Sequence, residues 1–236
     1  RQMRSIIQQG GHLCIMPEGM SSITGMAQPV MAGTGKFLKM MGVTVYYTKI
    51  SGGYLTYTKH CLDERVGRVE VTVDRMFTPQ ELKRLPPQEI EDTMNRLLAH
   101  DDYIWNREAQ VTFRGKGQMA KKLDTLLYMC PKCGAMYRME CSGNEMRCTA
   151  CGNTVSLDER YNLRPVGEGS VCPELVSDWV LLERKKAEED VKDPNFTYSG
   201  HVRAGKLPEH KTLKGDNTSV ICGEGELRLD HSGLTF

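Results

Sequence analysis

The sequence has no run of 18 apolar residues, so no segment of it is built to cross a bilayer as a helix, although contact with a membrane surface stays open. Nor does charge of one sign dominate. Lysine and arginine number 31 against 30 acidic residues, which leaves no global field to draw the chain to nucleic acid or anionic lipid, so any such contact must be local. Internal repeats and low-complexity segments are missing too, which argues against a solenoid or a disordered tract. The chain also lacks an initial methionine. Arg1 opens "RQMRSIIQQGG", which reads as the middle of a helix with Met3, Ile6 and Ile7 on one face, so the chain is expected to be a piece of something longer.

What is present points to a folded protein. With 39% hydrophobic and 26% charged residues over 236 positions, the chain can bury a substantial core and is expected to hold more than one domain. Of nine cysteines, four fall into two Cys-x-x-Cys pairs and five are scattered, a pattern that favours a reducing compartment and a metal over a secreted disulfide framework.

Along the chain, "HLCIMPEG" is an apolar run closed by Pro17 and Gly19, which predicts a buried strand at residues 12 to 17. "SSITGMAQP" reads as a loop. "GTGKFLKMM" places Phe37, Leu38 and Met41 on one face of a helix that Gly42 stops, and "VTVYYTKI" is a second strand ended by Gly52-Gly53. Strand, loop, helix and strand predict a β-α-β unit with a right-handed crossover. "VGRVEVTVDRMF" is a further strand, and Thr78, Pro79 and Glu81 form a capping box with proline at the first helical position. A longer helix over about 87–105 follows, with Ile90, Met94, Leu97, Leu98 and Trp105 on its apolar side. Beyond Gly115, "GQMAKKLDTLLY" predicts an amphipathic linker helix, and "SDWVLLERKKAEED" a charged helix with one apolar stripe. The tail alternates Leu227 and Leu229, then turns at Ser232-Gly233, as a hairpin would.

The paired cysteines carry the sharpest chemistry. Cys130-x-x-Cys133 and Cys148-x-x-Cys151 are separated by 14 residues, each pair is followed by glycine (Gly134, Gly152), and Ser142-Gly143-Asn144 supplies a turn between them. Such a knuckle folds back so that its N–H groups point at the thiolates, and glycine tolerates the left-handed conformation this requires. The arrangement resembles a zinc ribbon. It implies one structural zinc with four thiolate ligands and no open position, the charge offset by Lys132, Arg138 and Arg147; the alternative is two disulfides or unrelated surface cysteines. Cys141 falls outside the spacing. From Cys130 to Gly152 the basic residues face Glu140 and Glu145, with Tyr137 the single aromatic, so nucleic acid is not an expected partner.

Two phosphate-binding motifs fail. "MAGTGKF" has Val30 where a P-loop opens with glycine and Phe37 where it needs Ser or Thr, and Gly33-x-Gly35 meets Leu38 where a dinucleotide fingerprint needs glycine or alanine. What remains is Pro17-Glu18-Gly19 with Ser22, then Pro29 and Gly33, then Gly42, Val43 and Val45, then Gly52-Gly53-Tyr54-Leu55. In order and spacing these resemble the later blocks of the 1-acylglycerol-3-phosphate acyltransferase (glycerolipid acyltransferase) family, in particular bacterial members with a zinc ribbon downstream, over about residues 1 to 160. The sequence departs from that pattern where Met20 and Ser21 replace a Thr-Arg pair and where Thr44 and Tyr47 replace two prolines.

The resemblance implies an α/β fold: the C-terminal half of an acyltransferase α/β sandwich over 1–127, a zinc ribbon over 128–160, and a helix with a truncated β-rich domain over 161–236. It implies transfer of a fatty acyl group from acyl-CoA or acyl carrier protein to a (lyso)glycerophospholipid acceptor. Glu18, Gly19, Ser21, Ser22 and Lys36 would bind substrate, with Lys36 or Lys39 standing in for the missing arginine. The expected setting is cytoplasmic, peripheral at the inner face of the membrane. The family's His-x-x-x-x-Asp block is absent: five residues beyond His12, His60, His100, His201, His210 and His231 stand Pro, Arg, Trp, Lys, Gly and Phe. No catalytic residue is therefore assigned in this chain, the block is expected upstream, and the chain alone is expected to be inactive. A reading from another class is a non-catalytic zinc-ribbon adaptor that binds protein or nucleic acid.

Overall fold

The computed structural model describes residues 2–61, 63–206 and 220–236. It mixes helices with three antiparallel sheets and divides into two compact units, Arg1–Glu183 and Arg184–Phe236.

In the first unit, helix α1 (Gln2–Gln8) leads into an irregular segment where a strand was expected. Residues 12 to 16 take no part in any sheet, and Met16 stands 77% exposed. A strand needs a neighbour for its N–H and C=O groups, and no described strand runs beside this stretch. The chain turns at Pro17-Glu18-Gly19, where the Met31 N–H donates to the Pro17 carbonyl at 2.8 Å, and enters α2 (Thr34–Met41), which ends at Gly42 as expected.

Strand β1 (Val45–Ser51) passes through the single-turn helix α3 (Gly53–Thr56) and returns in β2 (Glu70–Phe77), paired antiparallel with Thr48 opposite Val73. The expected right-handed crossover is thus replaced by a two-stranded antiparallel ribbon, since its first strand does not form. Gly52 makes the reversal possible. It sits at φ 81°, and a Cβ there would lie 2.8 Å from both the Arg68 carbonyl and the Trp105 ring.

Helix α4 (Pro79–Arg84) carries the expected capping box: Thr78 Oγ accepts the Glu81 N–H at 3.2 Å and a Glu81 carboxylate oxygen accepts the Thr78 N–H at 2.7 Å. The single helix expected over 87–105 is two. Helix α5 (Pro87–Leu98) stops, and α6 (Asp102–Ala109) starts afresh because the Asp101 carboxylate accepts the N–H groups of Tyr103 and Ile104 at its N-terminus. Leu38, Met76, Phe77, Leu82, Ile90 and Met94 form a small core among α2, α4, α5 and the end of β2.

The amphipathic linker is a series of turns with one 3₁₀ turn, Leu123–Thr125. Lys116, Gly117 and Lys122 at positive φ interrupt any helix, yet Met119, Leu123 and Leu127 are fully buried. Four short strands follow, β3 (Met139–Ser142), β4 (Glu145–Cys148), β5 (Thr154–Leu157) and β6 (Leu163–Val166), antiparallel in chain order. Their apolar residues Met139, Met146, Val155 and Leu157 join Leu55, Tyr103 and Phe113 in one larger core. Helix α7 (Val176–Asp190) adds Val176, Trp179 and Val180 to it, and the Trp179 indole N–H donates to the Met129 carbonyl at 2.8 Å. The division between the two units falls after Glu183, within α7, where the apolar stripe of that helix ends and a charged run follows.

The second unit is a meander of β7 (Thr197–Lys206), β8 (Val220–Asp230) and β9 (Gly233–Thr235). Its last turn is His231-Ser232, one residue earlier than the expected Ser232-Gly233, because Gly233 already pairs with Asp230 as the first residue of β9; the Ser232 N–H donates to the Asp230 carboxylate at 2.8 Å. No helix among the described residues is long and apolar enough to cross a membrane.

Candidate functional site

Two places in the first unit bring chemistry-bearing side chains together. The first is the set of four cysteines. Cys130 and Cys133 lie on the turn before β3, Cys148 closes β4, and Cys151 lies on the turn before β5. Both turns have the same construction: the Gly134 N–H donates to the Cys130 carbonyl and the Gly152 N–H to the Cys148 carbonyl, each at 2.9 Å, with the glycines at φ 71° and 75°. Each fold-back brings its own pair of thiols together. Pairing β3 with β4 then carries Cys148 back beside the first turn.

The result is a compact cluster in which all four sulfurs lie within 4.8 Å of one another. Cys130 Sγ is 3.7 Å from Cys151 Sγ, and Cys133 Sγ is 3.8 Å from Cys148 Sγ. Both distances exclude a disulfide, whose sulfurs are about 2.05 Å apart. They match the edge of a tetrahedron, about 3.8 Å, around an ion held by thiolates at about 2.3 Å. The donor set therefore fits a thiophilic divalent metal. Burial pushes the Cys130 thiol up to about 12, opposed by the backbone N–H groups of Cys133 and Lys132 directed at its sulfur, so an ion must displace protons to bind. Cys141 stands apart: its sulfur accepts the Asp124 N–H at 3.3 Å, and it is outside the cluster.

The second place is a cleft of about 640 Å³ beside the Pro17-Glu18-Gly19 turn. Glu18, Gly19, Ser21 and Ser22 all line it. One Glu18 carboxylate oxygen accepts the Gln28 N–H at 2.8 Å, which fixes the side chain and leaves acceptor capacity for a ligand. Ser22 is engaged within its own loop, donating to the Met26 carbonyl at 2.7 Å and accepting the Gly25 N–H at 2.9 Å. Met16, Met20, Met26, Ile50, Tyr57 and Leu98 make much of the wall apolar, while Lys49 and Lys59 bring positive charge to it.

The lysines singled out in the sequence lie elsewhere. Lys36 is exposed on α2 and is not among the residues lining the cleft. Lys39 donates to the carbonyls of Lys83 at 3.1 Å and Leu85 at 2.6 Å, tying α2 to the end of α4. The N-terminus of α2 is also taken. A single Glu91 carboxylate oxygen accepts the N–H groups of Gly33 and Gly35, each at 2.9 Å, so the glycine-rich loop cradles an oxyanion supplied by the protein itself.

His100 and Asp102 also line this cleft, and sequence reasoning passed over them. His100 Nε2 lies 2.5 Å from Asp102 Oδ1. A spacing of two residues falls outside the search for His-x-x-x-x-Asp; the only local signal was an Asp-Asp pair poised to start a helix. No protein-family model, curated protein or solved structure matches this chain.

Proposed function

We propose that the chain is the acceptor-binding part of an acyltransferase that moves a fatty acyl group from a coenzyme A or carrier-protein thioester to a glycerophospholipid. On this reading residues 1–127 are the C-terminal half of an acyltransferase α/β sandwich, the four-cysteine hairpin is a zinc ribbon whose zinc is structural, and the last sheet is part of a further β-rich domain. The observation that carries it is the cleft: a carboxylate fixed at Glu18, the side chains of Ser21, Lys49 and Lys59, and a wall rich in methionine and aromatic residues. A carboxylate with spare lone pairs suits glycerol hydroxyls, lysines suit a phosphate, and unbranched methionines adapt to an acyl chain. The exposed apolar side chains at its mouth, Met16 and Met20 among them, are consistent with working at the inner face of a membrane. Glu140 and Arg147, directly opposite each other on β3 and β4, give the hairpin a mixed surface that does not favour nucleic acid.

Titration calorimetry with a lysophospholipid tests the reading. Glu18→Ala is expected to weaken binding about tenfold, the loss of one charge-assisted hydrogen bond, and to leave a free fatty acid of the same chain length unaffected. No binding by the native chain, or equal losses for both ligands, would contradict it.

A further inference from the structure

We propose that His100, oriented by Asp102, is a proton acceptor in this cleft, so that the chain carries a base of its own. The backbone around His100 is pinned on both sides. Its carbonyl accepts the Ala27 N–H at 2.8 Å, Met26 and Asp101 form a β-bridge, and the Asp102 N–H donates to the Gly25 carbonyl at 3.1 Å.

Asp102 is held more tightly still. Its side chain is 3% exposed; Oδ1 accepts the Gly52 N–H at 2.7 Å and Oδ2 accepts the Tyr54 N–H at 2.9 Å. With both oxygens already accepting from backbone donors, the contact to His100 Nε2 is that of a ring N–H donating to a carboxylate. In the neutral ring Nδ1 then carries the lone pair. The His100 side chain keeps 17% of its surface and the residue lines the cleft, with Nδ1 the ring nitrogen that Asp102 does not engage. The N–H of Gln28, the neighbour of Ala27, donates to the Glu18 carboxylate, so adjacent residues of one segment bond to His100 and to Glu18. Glu18, Lys49 and Lys59 are the other charged side chains on the lining.

The step is a base-assisted acyl transfer. Nδ1 takes the proton of a hydroxyl whose oxygen bonds to the thioester carbonyl carbon; the C–S bond then breaks, and the departing thiolate takes the proton back from the imidazolium. Water in place of the acceptor gives the free acid and the thiol. That the hydroxyl belongs to a glycerolipid rests on the reading above; the base requires only a hydroxyl. His100 is the catalytic residue here and Asp102 a positioning one. On this proposal the chain alone is active, contrary to the expectation set by the missing His-x-x-x-x-Asp block and the missing upstream part of the crevice.

The test follows thiol release from a decanoyl-coenzyme A thioester by the 236-residue chain, with and without a lysophospholipid, while mass spectrometry reports acylated lipid. Release above the buffer rate is expected, lowered about 10²- to 10⁴-fold in His100→Gln at an unchanged unfolding temperature. Asp102→Asn is expected to lower kcat with KM little changed, and Asp102→Glu to restore part of it, a split and a rescue that a purely structural role does not require. Release abolished in His100→Gln without any acylated lipid supports the base and removes the glycerolipid acceptor. No release from the native chain, or release or transfer indifferent to His100→Gln, overturns the base.

Discussion

Single residues set the chemistry of both places, and each has a definite test. The four sulfurs form a closed site in which no ligand is redundant, so Cys148→Ser is expected to reduce bound metal from about one equivalent per chain to less than half, measured on purified protein by atomic emission. A metal content unchanged by that substitution would mean that the cluster holds no ion. His60 is a second case. Burial, reinforced by the Arg65 charge, lowers its imidazole to about 4, and its Nδ1 has no hydrogen-bond partner. Because the folded-state value lies below the ordinary 6.5, the stability due to neutral His60 is present above pH 6.5 and is lost as pH falls toward 4. Chemical denaturation across that window is expected to show a loss of order 3 kcal/mol at most in the native protein, and less in His60→Gln. Identical pH dependence in the two would show that His60 is solvated.

At the scale of elements, what was legible in the sequence is what depends on near neighbours. The two knuckles, the Thr78 cap and the stop at Gly42 each rest on residues a few positions apart, and all of them form; the last hairpin forms too, with its turn one residue earlier than expected. Readings that needed a distant partner did not transfer. Residues 12 to 17 have the composition of a strand but no strand beside them, and the direction of β1 against β2 depends on that absence. The break at Ala99 was written in Asp101, but an apolar periodicity continuing to Trp105 outweighed it. Likewise Glu18 was picked out by spacing, whereas His100 and Asp102 become a pair only once Asp102 is drawn in by Gly52 and Tyr54. Helix α7 gives the element-scale prediction. Trp179 is fully buried, so Trp179→Ala is expected to cost about 3–5 kcal/mol, and a chain ending at residue 166 to lose slow amide exchange in β3 to β5, whereas one ending at residue 190 keeps it. Unaltered exchange in the shorter chain would show that α7 lies outside that core.

Over the whole molecule, the four-cysteine cluster and the cleft have different parts. Cys130 and Cys148 belong to the larger core together with Leu55 of α3 and Tyr103 of α6, so the four-cysteine hairpin packs into the same body of side chains on which the cleft rests. Mapping amide exchange along the full chain with and without a lysophospholipid asks directly where the ligand sits. The cleft account predicts added protection in residues 16 to 28, 48 to 59 and 98 to 102, with the 130 to 152 hairpin unchanged. Protection confined to that hairpin, or none anywhere, would contradict it.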